Sequence, residues 1–139
     1  YRMMNSSGIH GIDKVLRNFG KKFINRCFVY NEIQTSNLVK NKINFFAKRY
    51  AAKEACAKAL STGLANGTTW KDIEVFNDEF GKPYIKLHNK ALILLDKITY
   101  NNHKIHLSLS DEKNYAIASV IIQAVWTKKI FLIILNQFL

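Results

Sequence analysis

Phe46-Ala47-Lys48-Arg49-Tyr50-Ala51-Ala52-Lys53-Glu54-Ala55-Cys56-Ala57-Lys58-Ala59-Leu60 is the stretch on which the reading of this chain turns. It predicts the body of a long helix over residues 42–60, stopping where Ser61-Thr62-Gly63 breaks the pattern. On such a helix Glu54 and Lys58 are one turn apart and share a face. Arg49 and Lys53 add two more cations, and the alanines at 51, 52, 55 and 57 let another backbone or a ligand approach closely. The helix by itself supports two readings. One is an amphipathic helix carrying a weak i,i+4 ion pair. The other is a carboxylate ringed by three cations, in which the carboxylate holds Mg²⁺ and the cations hold phosphate oxygens.

Working outward, Ile9, Ile12, Leu16 and Phe19 recur at helical spacing and predict an amphipathic helix ending at Gly20, with Phe23, Ile24 and Phe28 continuing the apolar stripe. Residues 31–44 are polar, with Glu32 and Leu38 as members of a short helix. Residues 73–76 and 84–87 read as strands joined by the turn-forming run Asn77-Asp78-Glu79-Phe80-Gly81. Leu92, Leu95 and Ile98 predict a helix over 90–98. Residues 105–110 alternate, with His106, Ser108 and Ser110 on one side and Leu107 and Leu109 on the other. An apolar strand over 115–124 follows, and the pair predicts a hairpin through 111–114. The fold class is α+β. The tail, Trp126 to Leu139, contains Ile130-Phe131-Leu132-Ile133-Ile134-Leu135, too short for a membrane span, which needs about 20 residues. Its expected place is packed on the domain, since an exposed run of this kind favours aggregation.

At 139 residues the chain is one domain by size, and 48% apolar residues suffice for a core. The net charge of +11, from 21 Lys and Arg against 10 Asp and Glu, attracts nucleic acid, membrane surfaces or an acidic protein. The basic residues are scattered, densest at Lys40-Asn41-Lys42 and Lys128-Lys129, and are not interleaved with aromatics in an RNA-binding pattern. An acidic protein partner is therefore preferred over nucleic acid or membrane. Cys27 and Cys56 are too few for a disulfide framework, and Cys56 among alanines reads as a buried small hydrophobe. No Cys/His spacing suggests zinc. Residues 1–8 are short and polar rather than a secretory signal, and the expected location is cytoplasmic.

Three blocks, in this order and spacing, resemble the holo-acyl-carrier-protein synthases, the small bacterial 4'-phosphopantetheinyl transferases. They are Arg49-Tyr50-Ala51-Ala52-Lys53-Glu54-Ala55 with Lys58-Ala59, then Asp72-Ile73-Glu74 with Asn77-Asp78 and Gly81-Lys82-Pro83, then His106-Leu107-Ser108-Leu109-Ser110. The resemblance covers roughly residues 5–123 and implies a long helix packed on a small, mostly antiparallel sheet. It divides the chain into a transferase domain, 1–125, with an incomplete first strand, and an apolar extension, 126–139. The implied reaction moves the 4'-phosphopantetheine arm of coenzyme A onto a serine of an acidic apo acyl carrier protein, with Mg²⁺ on the pyrophosphate and 3',5'-ADP leaving, in support of fatty acid biosynthesis. By resemblance Glu54 is the Mg²⁺-binding glutamate, Lys58 neutralises phosphate charge, Arg49 and Lys53 lie near coenzyme A, and His106 lines the site with Ser108 and Ser110 as hydrogen-bond donors to the ligand. The resemblance also implies a ring of three subunits with each active site at a subunit boundary.

The chain departs from the family at its start. An ungapped alignment puts the family's second Mg²⁺ ligand, an aspartate, on Asn5, and a carrier-contacting arginine on Gly11. Asp13, in Gly8-Ile9-His10-Gly11-Ile12-Asp13, looks like that aspartate, but its use requires deleting about two helical turns, so it is read as a decoy. Asn5 offers a neutral oxygen without the negative charge that helps hold Mg²⁺. Arg26 still matches a residue facing the carrier protein, and Ser61 replaces a usual glycine. The expectation is an active transferase; the alternative is a catalytically impaired homologue that only binds coenzyme A or carrier protein. A nucleic-acid-binding protein rests on charge alone.

Overall fold

The computed structural model describes residues 17, 20–61, 67–112, 115–126 and 129–138. A helical segment at 20–27 leads to helix α1, Tyr30–Ser36, and the long helix α2, Lys42–Ala59. A single 3₁₀ turn, Trp70–Asp72, precedes strands β1, Ile73–Asn77, and β2, Pro83–Leu87. Helix α3, Asn89–Thr99, then connects to β3, His103–Glu112, β4, Tyr115–Trp126, and β5, Lys129–Phe138. All pairings are antiparallel: β1 with β2 in one sheet, and β3-β4-β5 in the other. The α+β class and the helix on a small antiparallel sheet are therefore observed. No helix among the described residues is long and apolar enough to cross a membrane.

Small residues set the main layer contact. Ala51, Ala52, Ala55, Cys56 and Ala59 of α2 share one buried core with Ala118, Val120 and Ile122 of β4. Ile105, Leu107 and Leu109 of β3 pack against the same core, so α2 lies against the face of the sheet these residues form. Alanine against alanine lets a helix approach a sheet closely, where any added methylene would be felt. Asn41 caps α2, its side chain accepting from the Asn44 N–H at 3.0 Å. A second core joins Cys27, Phe28, Phe45, Phe46, Ala47 and Ala116, with Phe23 and Ile24 against it.

Of the expectations for Gly20, Leu38 and the tail, only the helical place of Leu38 is corrected. Gly20 takes φ +44°, in the left-handed region, and the helical segment that follows carries Phe23, Ile24 and Phe28 to the second core. Leu38 lies beyond α1 and is 86% exposed, because the helix closes at Asn37, whose N–H bonds the Gln34 carbonyl at 3.1 Å. The tail packs on the domain as expected, and does so as a third strand: β5 pairs with β4 from Trp126↔Lys129 to Ile117↔Phe138. Of the predicted N-terminal helix, only Arg17 and the Gly20 boundary fall among the described residues; Asn5, Gly11 and Asp13 lie outside them.

Ser61 sits just past α2 with φ +71°, in the left-handed region that favours glycine. Its N–H still bonds the Lys58 carbonyl at 2.9 Å, so the backbone geometry is held by the cap rather than by the side chain. Ser61→Gly is expected to raise stability by about 0.5–1 kcal/mol, the left-handed cost less the added freedom of the unfolded chain. Urea denaturation checks this, and an unchanged or lower midpoint would show the Ser61 backbone to be unstrained.

Candidate active site

The four charged residues of the α2 motif separate into different environments. Lys53 is fully buried, its Nζ donating to Glu32 Oε1 at 2.7 Å, to the Trp70 carbonyl at 3.2 Å and to the Ile73 carbonyl. All three ammonium hydrogens are thus spent inside the protein. Glu32 is equally buried and accepts from the Val29 N–H at 3.0 Å and the Val75 N–H at 3.2 Å. Burial pushes the Lys53 pKa down, and Glu32 opposes that shift. The expectation that Lys53 helps hold coenzyme A is therefore corrected: with no exposed donor, it fastens α2 to α1 and β1.

Glu54 and Lys58 remain on the outer part of α2, Glu54 half-buried and Lys58 exposed. Burial raises the Glu54 pKa above the ordinary 4.5; the Lys58 charge and a hydrogen bond donated by the Tyr50 hydroxyl pull it back. Burial and the Glu54 charge push the Tyr50 hydroxyl well up in turn, keeping it a donor. Tyr50 itself is wedged between Phe23 and Trp70, with ring centroids 5.6 and 5.1 Å away. Tyr50, Glu54 and Lys58 thus climb one face at i,i+4 spacing. Sequence reasoning missed Tyr50, although its place four residues before Glu54 was the signal.

Arg49 belongs to another place. It is 4% exposed and lines a groove of about 560 Å³ between the start of α2 and the β1–β2 hairpin, with Asn44, Lys48, Asn77, Gly81 and Pro83. Its guanidinium lies over the Phe45 ring, 4.0 Å from the centroid, and Nη2 donates to Asn77 Oδ1 at 2.5 Å. Its Nε is buried with no hydrogen-bond partner among the described residues. Burial lowers the Arg49 pKa, with the Glu32 charge opposing. A desolvated guanidinium with an unspent donor beside a groove is suited to an anion. The hairpin wall is held by Asp78, whose Oδ1 accepts from the Phe80 and Lys82 N–H groups, and by Gly81 at φ +83°.

His106, Ser108 and Ser110 are exposed on β3, opposite Ile121, Ser119 and Ile117 of β4. They occupy the sheet face turned away from α2, where His106 Nε2 lies 2.9 Å from Gln123 Oε1. Within one chain, therefore, the helix carrying Glu54 and the side chain of His106 lie on opposite sides of the β3–β4 pair. The structure keeps Glu54 with Lys58, and His106 with the two serines, but does not bring these groups together.

A family model described as the 4'-phosphopantetheinyl transferase superfamily matches residues 9–120. The chain belongs to this superfamily. It is similar to the holo-[acyl-carrier-protein] synthase of Bartonella bacilliformis, 47% identical over 118 residues that span 84% of this chain and 89% of that protein. The Sinorhizobium fredii enzyme of the same name is 46% identical over 84% of this chain and 85% of its own length. Among solved structures, a holo-(acyl-carrier-protein) synthase from Bacillus anthracis in complex with CoA (3',5'-ADP) superposes with a TM-score of 0.68 at 32% identity, covering 85% of this chain and 90% of that one. Coenzyme A or its nucleotide part is thus bound by a transferase of this superfamily with the same fold.

No cluster of three His, Cys, Asp or Glu side chains able to hold a metal exists among the described residues. One half-buried carboxylate beside a lysine fits Mg²⁺ in the mode where substrate phosphates and water complete the shell. Glu54→Gln tests the electrostatics directly. Because the folded-state pKa lies above the ordinary 4.5, the stability Glu54 contributes is present below that value and lost as pH rises through the folded-state pKa. The Gln variant, neutral throughout and still able to accept from Tyr50, is expected to melt at or slightly above the wild-type temperature at pH 7. A clearly lower melting temperature at pH 7 would contradict the burial cost assigned to this carboxylate.

Proposed function

We propose that this chain acts as a holo-[acyl-carrier-protein] synthase: it transfers the 4'-phosphopantetheine group of coenzyme A to a serine of an apo acyl carrier protein. The serine oxygen bonds to the phosphorus of the phosphopantetheine arm, the pyrophosphate bond breaks, and 3',5'-ADP departs. The observation that carries this is the Glu54–Lys58 pair on the outer part of α2, backed by the Tyr50 hydroxyl, while Lys53 and Arg49, on the same helix, serve elsewhere. Glu54 is the residue that would hold Mg²⁺, which when bound would offset negative charge on the pyrophosphate. Lys58 supplies a further positive charge to the phosphates. Arg49, whose charge lines the groove beside Lys48 and Pro83, receives a phosphate of coenzyme A there. His106, Ser108 and Ser110 complete the site as donors and acceptors from the open sheet face.

The two sides of the sheet meet only if a second copy supplies one of them. We propose that a homotrimer with sites at the subunit boundaries does so. The half-buried apolar residues Ile117, Ile121 and Val125, which share the outer face with His106, favour such packing. The net charge of +11 favours an acidic carrier protein as the partner, with Arg26 facing it. In this reading residues 1–125 form the transferase domain, 126–139 an apolar extension, and the enzyme works in the cytoplasm for fatty acid biosynthesis. Asn5 in the place of an acidic ligand supports a second reading, a homologue that binds coenzyme A or carrier protein without turnover.

Intact-mass spectrometry of an apo acyl carrier protein incubated with this chain, coenzyme A and Mg²⁺ separates the two. A phosphopantetheine-sized mass gain, abolished by chelator, is the expected result. No gain from a folded chain that still binds coenzyme A would replace transfer by the binding-only reading.

A further inference from the structure

We infer that Asn77 is a positioning residue for anion recognition, aiming the Arg49 guanidinium into the groove while keeping its charge unspent. This rests on the reading of that groove as the place where a phosphate of coenzyme A binds. Asn77 uses both ends of its amide. Oδ1 accepts from Arg49 Nη2, and Nδ2 donates to the Gly81 carbonyl at 2.8 Å. The assignment of oxygen and nitrogen is forced by these neighbours, because a guanidinium only donates and a carbonyl only accepts.

The consequence for Arg49 is geometric. The Phe45 ring fixes the plane of the guanidinium from one side, and Asn77 fixes its rotation within that plane by holding one edge. Asn77 takes one of the five guanidinium N–H donors and none of the charge, and Nε stays buried without a partner among the described residues. The same amide holds the Gly81 turn, so the aim of the arginine and the position of the opposite wall, Gly81 and Pro83, are tied through one side chain.

The residue type follows from the electrostatics. An aspartate at 77 would hold Arg49 at least as firmly, but its negative charge would neutralise the guanidinium and compete with an incoming phosphate. It would also set a carboxylate oxygen against the Gly81 carbonyl. An alanine would free both the guanidinium and the turn. Asparagine is the residue that grips the arginine without discharging it.

The test is calorimetric titration of coenzyme A and of 3',5'-ADP into the chain carrying Asn77→Ala, Asn77→Asp, Arg49→Ala, and Arg49→Ala with Asn77→Ala. Loss of a hydrogen bond to a charged group predicts roughly tenfold weaker binding for Asn77→Ala. Asn77→Asp is expected to weaken binding at least as much although it retains the contact to Arg49, and to do so at an unchanged melting temperature, which separates the charge effect from a disturbed Gly81 turn. Residues acting through one another are non-additive, so Asn77→Ala should change affinity by less than about twofold once Arg49 is already alanine. Full additivity in that background, with Arg49→Ala itself weakening binding, overturns the inference alone. An Arg49→Ala chain that binds both ligands like wild type overturns the groove reading and the inference together. Wild-type affinity in the folded Asn77→Asp variant also overturns the inference.

Discussion

The buried ion pair of Lys53 and Glu32 is the constraint on which the rest of the arrangement depends. A fully buried ammonium is tolerated only where every hydrogen finds an acceptor, and here a carboxylate and two backbone carbonyls provide them. The carboxylate in turn accepts from the backbone at the start of α1 and in the middle of β1. Four consecutive pieces of the fold are thereby fastened at one point: α1, α2, the 3₁₀ turn and β1. Removing one partner of such a pair costs about 3–5 kcal/mol, because the other is left charged and unpaired.

That fastening also sets how α2 is turned about its axis. With Lys53 inward, Glu54 lies roughly 100° further around the helix, on the side where Tyr50 and Lys58 are its neighbours one turn away. Arg49, one turn before Lys53, falls on the β1 side and reaches Asn77 at the far end of that strand. Two buried cations thus hold the helix to the two ends of β1, Lys53 at Ile73 and Arg49 at Asn77. One is saturated and purely a fastener, while the other keeps a donor in hand. The charged and polar groups are accordingly divided, with Arg49 in the groove at the hairpin, a carboxylate–lysine face on the helix, and a histidine with two serines across the sheet.

Much of this was legible in the sequence. The α2 helix, the β1–β2 hairpin and the alternation of His106, Ser108 and Ser110 against Leu107 and Leu109 carry strong periodic signals, and each occurs where the pattern put it. Lys53 was misread because a lysine beside a glutamate in an alanine-rich helix normally means solvent or ligand. Its true partner stands 21 residues earlier in a polar segment with no apolar stripe. The pairing of Arg49 with Asn77 crosses from helix to hairpin and leaves no trace in local spacing. The tail illustrates a different limit. An unbroken apolar run has neither a 3.6 nor a 2.0 period, so its strand geometry emerges only from pairing along β4.

The central proposal is that the groups of one site come from two copies of the chain, since Glu54 on α2 and His106 on the far face of the sheet lie on opposite sides within one. The most direct measurement is complementation: Glu54→Gln and His106→Ala chains, each inactive alone, are unfolded together, refolded as mixed oligomers and assayed for carrier-protein modification. Random assembly around a ring predicts recovery of roughly a quarter of the wild-type rate, the share of boundaries where both intact side chains meet. Mixed oligomers that form, as shown by differently tagged chains co-purifying, yet stay as inactive as either parent, would contradict a shared site.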